Sequence, residues 1–173
     1  KRIDRIVGEG LQLNRRDRQQ PEIVALHDFM RSLIDESVQA ENVPPSAVTI
    51  LIPGDVRVMF DRGHLNQIVW NLVRNAWQHC QKKDGSIRIG ARPGYMGDVV
   101  IFELGDDGPG IPAKMREDVF KPFLRLDDAR NQDEGGTGLG LAIARDIARY
   151  HGGDITLGDS PLGGLRATVR VPV

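Results

Sequence analysis

The sequence predicts an α/β fold in which helices lie on one face of a mixed β-sheet. Three observations predict it. Strand-like and helix-like patterns interleave without the regular strand-helix alternation of a parallel sheet. The strand candidates are short apolar runs bounded by glycine, proline and aspartate. The chain, 173 residues of which 40% are hydrophobic and 27% charged, suffices for one ordinary domain with its own core plus a small appendage.

Each element follows from the residues in order. In residues 1–20, Ile3, Ile6, Val7 and Leu11 recur at helical spacing among charges, so this is an amphipathic helix that needs a partner. Gly8 and Gly10 each cost about 1 kcal/mol relative to alanine in a helix interior, which makes the segment unstable alone. Pro21 ends it. "EIVAL" is a short strand candidate, followed by a second amphipathic helix carrying Phe29, Leu33, Ile34 and Val38, and "NVPPSA" is a linker or turn. "VTILI" and "VRVMF", separated by Pro53, Gly54 and Asp55, read as a β-hairpin. A long helix is expected over residues 61–81, with Asp61 as its cap. "SIRIGARP" and "DVVIFELG" flank a glycine-containing turn. After "DDGPGIP" and a short helix comes a polar, charge-dense loop over residues 124–135. A glycine run then opens a helix that Gly152 stops, and strands "DITLGD" and "LRATVRVPV" follow.

Composition narrows the function. A formal net charge of −1 gives no basic field, so no nucleic-acid partner is implied. No apolar run approaches the roughly 18 to 20 residues of a spanning helix, and "KRIDRIVGEG" lacks the apolar centre of a signal peptide. Direct membrane contact is therefore not expected. The single cysteine, Cys80, cannot form an internal disulfide, which fits a reducing cytosol. The sequence starts without methionine, already in a helical pattern, and the expectation is a piece of a longer protein.

Three stretches carry chemistry. On the long helix, Leu65, Ile68, Val69, Leu72, Val73 and Ala76 form the apolar side, while Gln67, Asn71, Asn75, Gln78 and His79 line up one turn apart. Two asparagines one turn apart can aim carbonyl oxygens at a hard cation that already has phosphate ligands. Read alone, the stripe is more readily a solvated polar face. In "DDGPGIP", Asp106 ends an apolar strand, and its carboxylate, a pure acceptor, can receive the exocyclic amino hydrogen of adenine where guanine offers an oxygen. Gly108 and Gly110 permit unusual backbone angles or the close approach of a flat ligand. Read alone, this stretch is simply a turn. "GGTGLGLAIARDIARYHGG" has the wrong spacing and a preceding loop instead of a strand for a dinucleotide fingerprint, and no Gly-Lys pair for a P-loop. What remains is a phosphate cradle from Gly136, Gly138 and Gly140 at a helix start.

With these three signals in this order, the chain resembles the ATP-binding catalytic domain of sensor histidine kinases, in the superfamily that also holds gyrase, the chaperone Hsp90 and MutL. "NQIVWNLVRNAWQHC" is similar to that family's N box, "DDGPGIP" to its first glycine box, "VFKPFLR" to its F box and "GGTGLGLAIARDIARYHGG" to its second glycine box. The resemblance covers about residues 21–173. It implies a two-layer α/β sandwich, the Bergerat ATP-binding fold, with ATP between the helices and the sheet. It also implies that residues 1–20 are a helical remnant, the end of the second helix of the dimerisation and phosphoacceptor hairpin, so that residues 21–173 form the catalytic domain.

The roles that follow are implied by the resemblance. Asn75 matches the magnesium ligand and Asn71 its helper near the phosphates. His79 is a phosphate neighbour on the same stripe. Asp106 matches the adenine-reading carboxylate, in a pocket shaped by Gly108, Gly110 and Ile111. Residues 124–135 correspond to a mobile lid with Phe120 and Phe123 as its hydrophobic hinge, and Arg125 falls where an arginine reaches the γ-phosphate. Gly136, Thr137, Gly138, Leu139, Gly140 and Leu141 close over the nucleotide. The lid mixes Arg125 and Arg130 with Asp127, Asp128, Asp133 and Glu134, so it is expected to be ordered by γ-phosphate contacts.

Asn71 also bears on the reaction. Hydrolytic relatives carry there a glutamate that activates water, whereas an amide cannot act as a base near neutral pH. Phosphoryl transfer needs chiefly positioning and charge neutralisation. The expected chemistry is therefore Mg²⁺-dependent transfer from ATP to a histidine on the hairpin, in the cytosolic part of a bacterial sensor that also serves a response regulator. Of the four histidines, His27 is followed by Asp28, but Ser32 stands where the acceptor motif has proline. His64 and His151 read as helix-end residues. The acceptor is expected upstream, and the chain alone is expected to bind ATP without phosphorylating itself.

Two positions depart from the family pattern: Gln78 stands for a frequent lysine, and Gly164-Leu165 for a Gly-Thr near the adenine pocket. The first half is similar to nitrogen- and pilus-regulatory kinases such as PilS, and the part from the lid onwards to osmosensor kinases of the EnvZ kind. Two other readings stand beside the kinase. An ATP-driven clamp would carry glutamate at position 71, and a docking module with a degenerate pocket need not bind Mg-ATP.

Overall fold

A computed structural model of the chain describes residues 20–94, 97, 99–121 and 140–172. The expected helix over residues 1–20 and the lid lie outside the described residues. Strand β1 (Pro21–Ala25) leads into helix α1 (Leu26–Glu41), then β2 (Val48–Leu51), β3 (Arg57–Asp61) and helix α2 (Arg62–His79). Strands β4 (Ile87–Pro93) and β5 (Val99–Asp106) follow, then two 3₁₀ turns (Ala113–Met115 and Asp118–Phe120), helix α3 (Gly140–Tyr150), β6 (Asp154–Asp159) and β7 (Leu165–Pro172).

Five strands form a mixed sheet in the order β2-β4-β5-β7-β6, in which only the β2-β4 pair is parallel. Strict alternation makes it two-faced. Ile87 and Ile89, Val100, Phe102 and Leu104, and Ala167, Val169 and Val171 are buried on the helix side. Leu65, Ile68, Val69, Leu72, Val73 and Ala76 of α2 and Ala144, Ile147 and Ala148 of α3 join them in one core, so the predicted helix layer over a mixed sheet is the observed architecture. Asp61 caps α2 as expected, its Oδ1 accepting from the His64 backbone N–H at 3.0 Å.

The expected hairpin between "VTILI" and "VRVMF" does not form. A turn is present, with the Val56 N–H donating to the Pro53 carbonyl, but the Val56 carbonyl accepts from the Leu26 N–H at the start of α1. That bond turns β3 away from β2, and β3 instead pairs antiparallel with β1 in a separate two-stranded sheet. Local turn chemistry was read correctly, and a partner 30 residues upstream decided the pairing.

The two helix-end histidines meet. His64 Nδ1 and His151 Nε2 lie 2.9 Å apart, and His151 also stacks on Phe60 at 4.0 Å between ring centres. Burial, then the neighbouring His64, hold the His151 imidazole down to about 4, against an ordinary value of 6.5. It is neutral in the folded protein while the unfolded chain protonates nearer 6.5, so its contribution is complete above that pH and is lost as pH falls towards 4. The unfolding free energy from urea titration is therefore expected to decline over this window by at most ~1.4 kcal/mol per pH unit, and His151→Phe to flatten the decline. The same slope in the variant would rule His151 out as its source.

Candidate functional site

The site is built where the inner face of the sheet meets the ends of α2 and α3. Phe102, Leu104 and Asp106 follow one another on the same face of β5, so a carboxylate continues an apolar row and is only 3% exposed. Such a group needs partners. Its Oδ1 accepts from the Gly108 N–H at 2.9 Å and the Leu165 N–H at 3.2 Å, and among the described residues no donor reaches Oδ2. Burial pushes the Asp106 carboxyl above the usual range, opposed by those two N–H groups and by His79. What results is an acceptor with one oxygen tied to the backbone and the other without a donor among the described residues.

Glycines hold this geometry. A Cβ on Gly108 would strike the His79 carbonyl at the end of α2, and one on Gly164 would strike Asp106 itself. Gly110 takes a positive φ of 75°, which favours glycine, and a Cβ there would lie 3.6 Å from the Gly164 backbone. The carbonyl of Ile111, the next residue, accepts from Arg116 Nε at 2.9 Å, and the same guanidinium reaches Asp159 Oδ1 at 2.6 Å. The loop after Asp106 is thus pinned to the end of β6.

Sequence reasoning missed Asp107. Its Oδ1 accepts from the Gln81 N–H and its Oδ2 from Ser86 Oγ, both at 2.8 Å, tying the segment after α2 to the end of β5. The doublet Asp106-Asp107 carried the signal, since adjacent strand residues face opposite ways and only one of the two can face the cleft. Leu165, which stands where the family pattern has threonine, contributes through its backbone. Its backbone N–H holds Asp106 whatever the side chain.

On α2, Asn71 and Asn75 are half-buried one turn apart, as the stripe predicts. Asn71 Nδ2 donates to the Gln67 carbonyl at 2.9 Å, which turns Oδ1 outward. A Cβ on Gly140 would lie 3.3 Å from that oxygen, so the first residue of α3 abuts Asn71. Backbone N–H groups at a helix start and an amide oxygen thereby share one place. Leu141 packs against the core, His79 is exposed, and Phe120 is buried at the edge of the undescribed stretch. Phe123, Arg125, Gly136, Thr137, Gly138 and Leu139 lie outside the described residues. No group of three or more His, Cys, Asp or Glu side chains suited to a metal occurs among the described residues. An oxygen-only amide donor set fits a hard cation that brings its other ligands as phosphate and water.

Known proteins resemble this chain in sequence and in fold. A family model described as histidine kinase-, DNA gyrase B-, and HSP90-like ATPase matches residues 60–173. The sensor histidine kinase CpxA of Escherichia coli K12 is 31% identical over 99% of the chain, which spans 37% of that protein. The probable sensor histidine kinase TcrY of Mycobacterium tuberculosis is 35% identical over 99% of the chain and 36% of its own length. The chain thus spans little more than a third of these curated relatives. Among solved structures, a nucleotide-free catalytic domain of the histidine kinase ThkA superposes with a TM-score of 0.70 at 27% identity, covering 88% of this chain and 95% of that one.

Proposed function

This chain belongs to the histidine kinase-, DNA gyrase B- and HSP90-like ATPases, as a catalytic domain of the sensor histidine kinase kind, and from that premise we propose its reaction: it binds Mg-ATP and passes the γ-phosphoryl group to a histidine on a dimerisation hairpin of the full-length protein. Asp106 carries the reading, because a buried carboxylate with one oxygen held by two backbone donors and the other open is built to accept from adenine. Asn75, with Asn71 as helper, would hold the magnesium ion, which would offset phosphate charge when bound. His79, whose carbonyl lies against Gly108, is assigned to the nucleotide near the Asp106 end, Gly140 to the phosphate end at the start of α3, and Ile111 and Leu141 to the sides of the pocket. Arg125, Phe123 and residues 136–139 are assigned to the lid and phosphate cradle.

Asn71 favours transfer over hydrolysis. Its Nδ2 is engaged with the Gln67 carbonyl and its oxygen is no base near neutral pH, so a water in the cleft has no activating group there. In the transfer, the bond from the γ-phosphorus to the bridging oxygen breaks, a bond to an imidazole nitrogen forms, ADP leaves and the ring proton passes to solvent. His27 does not fit the acceptor role, since it lies in the first turn of α1, within residues 21–173, and Ser32 stands where the acceptor motif has proline. Residues 1–20 are assigned to the end of the hairpin. Among the described residues no helix is long and apolar enough to cross a membrane, which accords with a cytosolic part of a sensor serving a response regulator.

Calorimetric titration with ADP, a nonhydrolysable ATP analogue and GTP, each with and without Mg²⁺, tests this. Magnesium-dependent binding of the adenine nucleotides with GTP silent is the expected result. No binding of any of them would make the domain a docking module.

A further inference from the structure

The nucleotide reading does not use Arg145, yet no other described cation is as deeply built in. It sits on α3 with its side chain 10% exposed. Nη1 and Nη2 donate to the two oxygens of Glu117 at 2.9 and 3.2 Å, Nε donates to Asp154 Oδ1 at 3.1 Å, and the guanidinium lies 4.2 Å from the ring centre of Phe120. Three segments that are separate in sequence converge on it: the turn before residue 122, the helix after residue 139, and the start of β6.

Stability does not account for this arrangement. Glu117 is 76% exposed, and pairs with so wet a partner contribute little. Asp154 would keep a cation without Arg145, because Arg149 Nε also donates to its Oδ1 at 3.0 Å. An apolar side chain of similar length could fill the space over Phe120 at small cost. What a planar fork supplies and an apolar chain does not is fixed geometry between the segments it bridges.

That geometry matters because the helix Arg145 belongs to starts at Gly140, against Asn71. We propose that Arg145 is the positioning residue of the phosphate end of the site, clasping Glu117 and Phe120 to α3 so that the first turn of the helix keeps its place beside Asn71. The inference rests on the nucleotide reading above. With adenine at Asp106, the third phosphate lies furthest along the cleft towards α3, so it is the most sensitive to a shift of that helix.

The test compares Arg145→Met, Arg145→Lys and Glu117→Gln with the unaltered chain by thermal unfolding and by titration with Mg-ADP and the Mg-bound ATP analogue. For Arg145→Met the expected result is a loss of affinity of roughly tenfold or more for the analogue, with a clearly smaller loss for ADP and a nearly unchanged Tm. Arg145→Lys, which keeps the charge over Phe120 without the fork, should recover part of the difference, and Glu117→Gln should lose part of it. Equal losses for both nucleotides that track Tm would make Arg145 merely structural and overturn the proposal. Unchanged affinities in Arg145→Met, with the unaltered chain binding both, would overturn it alone. An unaltered chain that binds neither would remove the nucleotide reading and the proposal together.

Discussion

Asp106→Asn will sharply weaken adenine-nucleotide binding and leave the chain folded. The two backbone bonds to this side chain, from Gly108 and Leu165, both end on Oδ1, and an asparagine oxygen can accept them unchanged. The substitution therefore alters only the other atom, turning an open acceptor into an N–H donor. Facing the exocyclic amino group of adenine, that donor exchanges an ionic hydrogen bond for a clash of two donors in a buried place. Affinity for ADP should fall roughly a hundredfold or more, equivalent to about 3 kcal/mol. Discrimination against guanine nucleotides should collapse with it, since a donor at this position suits the guanine oxygen.

Stability should move the other way. Burial lifts the folded Asp106 carboxyl above its unfolded value, so folding is favoured while the group is protonated and penalised once pH rises through the folded value. At neutral pH the penalty is present, and the neutral asparagine removes it. The Tm at pH 7 should be equal or higher in the variant. A variant that unfolds would mean that the second oxygen has a structural task, and one that binds ADP normally would move adenine recognition elsewhere.

These opposite signs also explain what was legible beforehand. A buried carboxylate just after "VVIFELG" contradicts the apolar row it continues, and local contradiction of that kind can be read from sequence. The amide stripe of α2 was legible for the same reason, because its helical spacing is contiguous and places Asn71 and Asn75 on one side without reference to other elements. The pairing of β3 with β1, the clamp made by Asp107, and the convergence of Glu117, Phe120 and Asp154 on Arg145 were not legible. Each joins residues brought together only by closure of the chain, and no periodicity encodes which partner wins. "VTILI" and "VRVMF" show this most plainly: their turn forms, but one hydrogen bond from α1 redirects it.

Gly164 belongs to that second class, and replacing it should cost most among the site glycines. Its N–H donates to the Asp106 carbonyl at 3.0 Å, which brings the entry of β7 so near the end of β5 that there is no room for a side chain. A Cβ here would overlap Asp106 Oδ1 and would stand 2.5 Å from the Gly108 nitrogen and 2.7 Å from the Asp106 carbonyl oxygen. Two of these three neighbours are backbone and cannot swing aside, so the strain must separate β7 from the Asp106-Gly108 segment. The Leu165 N–H would leave Asp106 in the same movement, removing one of the two donors that fix the carboxylate. Gly164→Ala should therefore lower stability by about 1 to 3 kcal/mol, the range for overpacking, and also weaken ADP binding at temperatures where the chain is still folded. The comparison with Asp106→Asn separates the two effects, since that change removes the acceptor without moving the backbone. If Gly164→Ala binds ADP as tightly as the unaltered chain, the β7 entry does not hold the adenine acceptor in place. The bond from Leu165 would then be incidental to recognition.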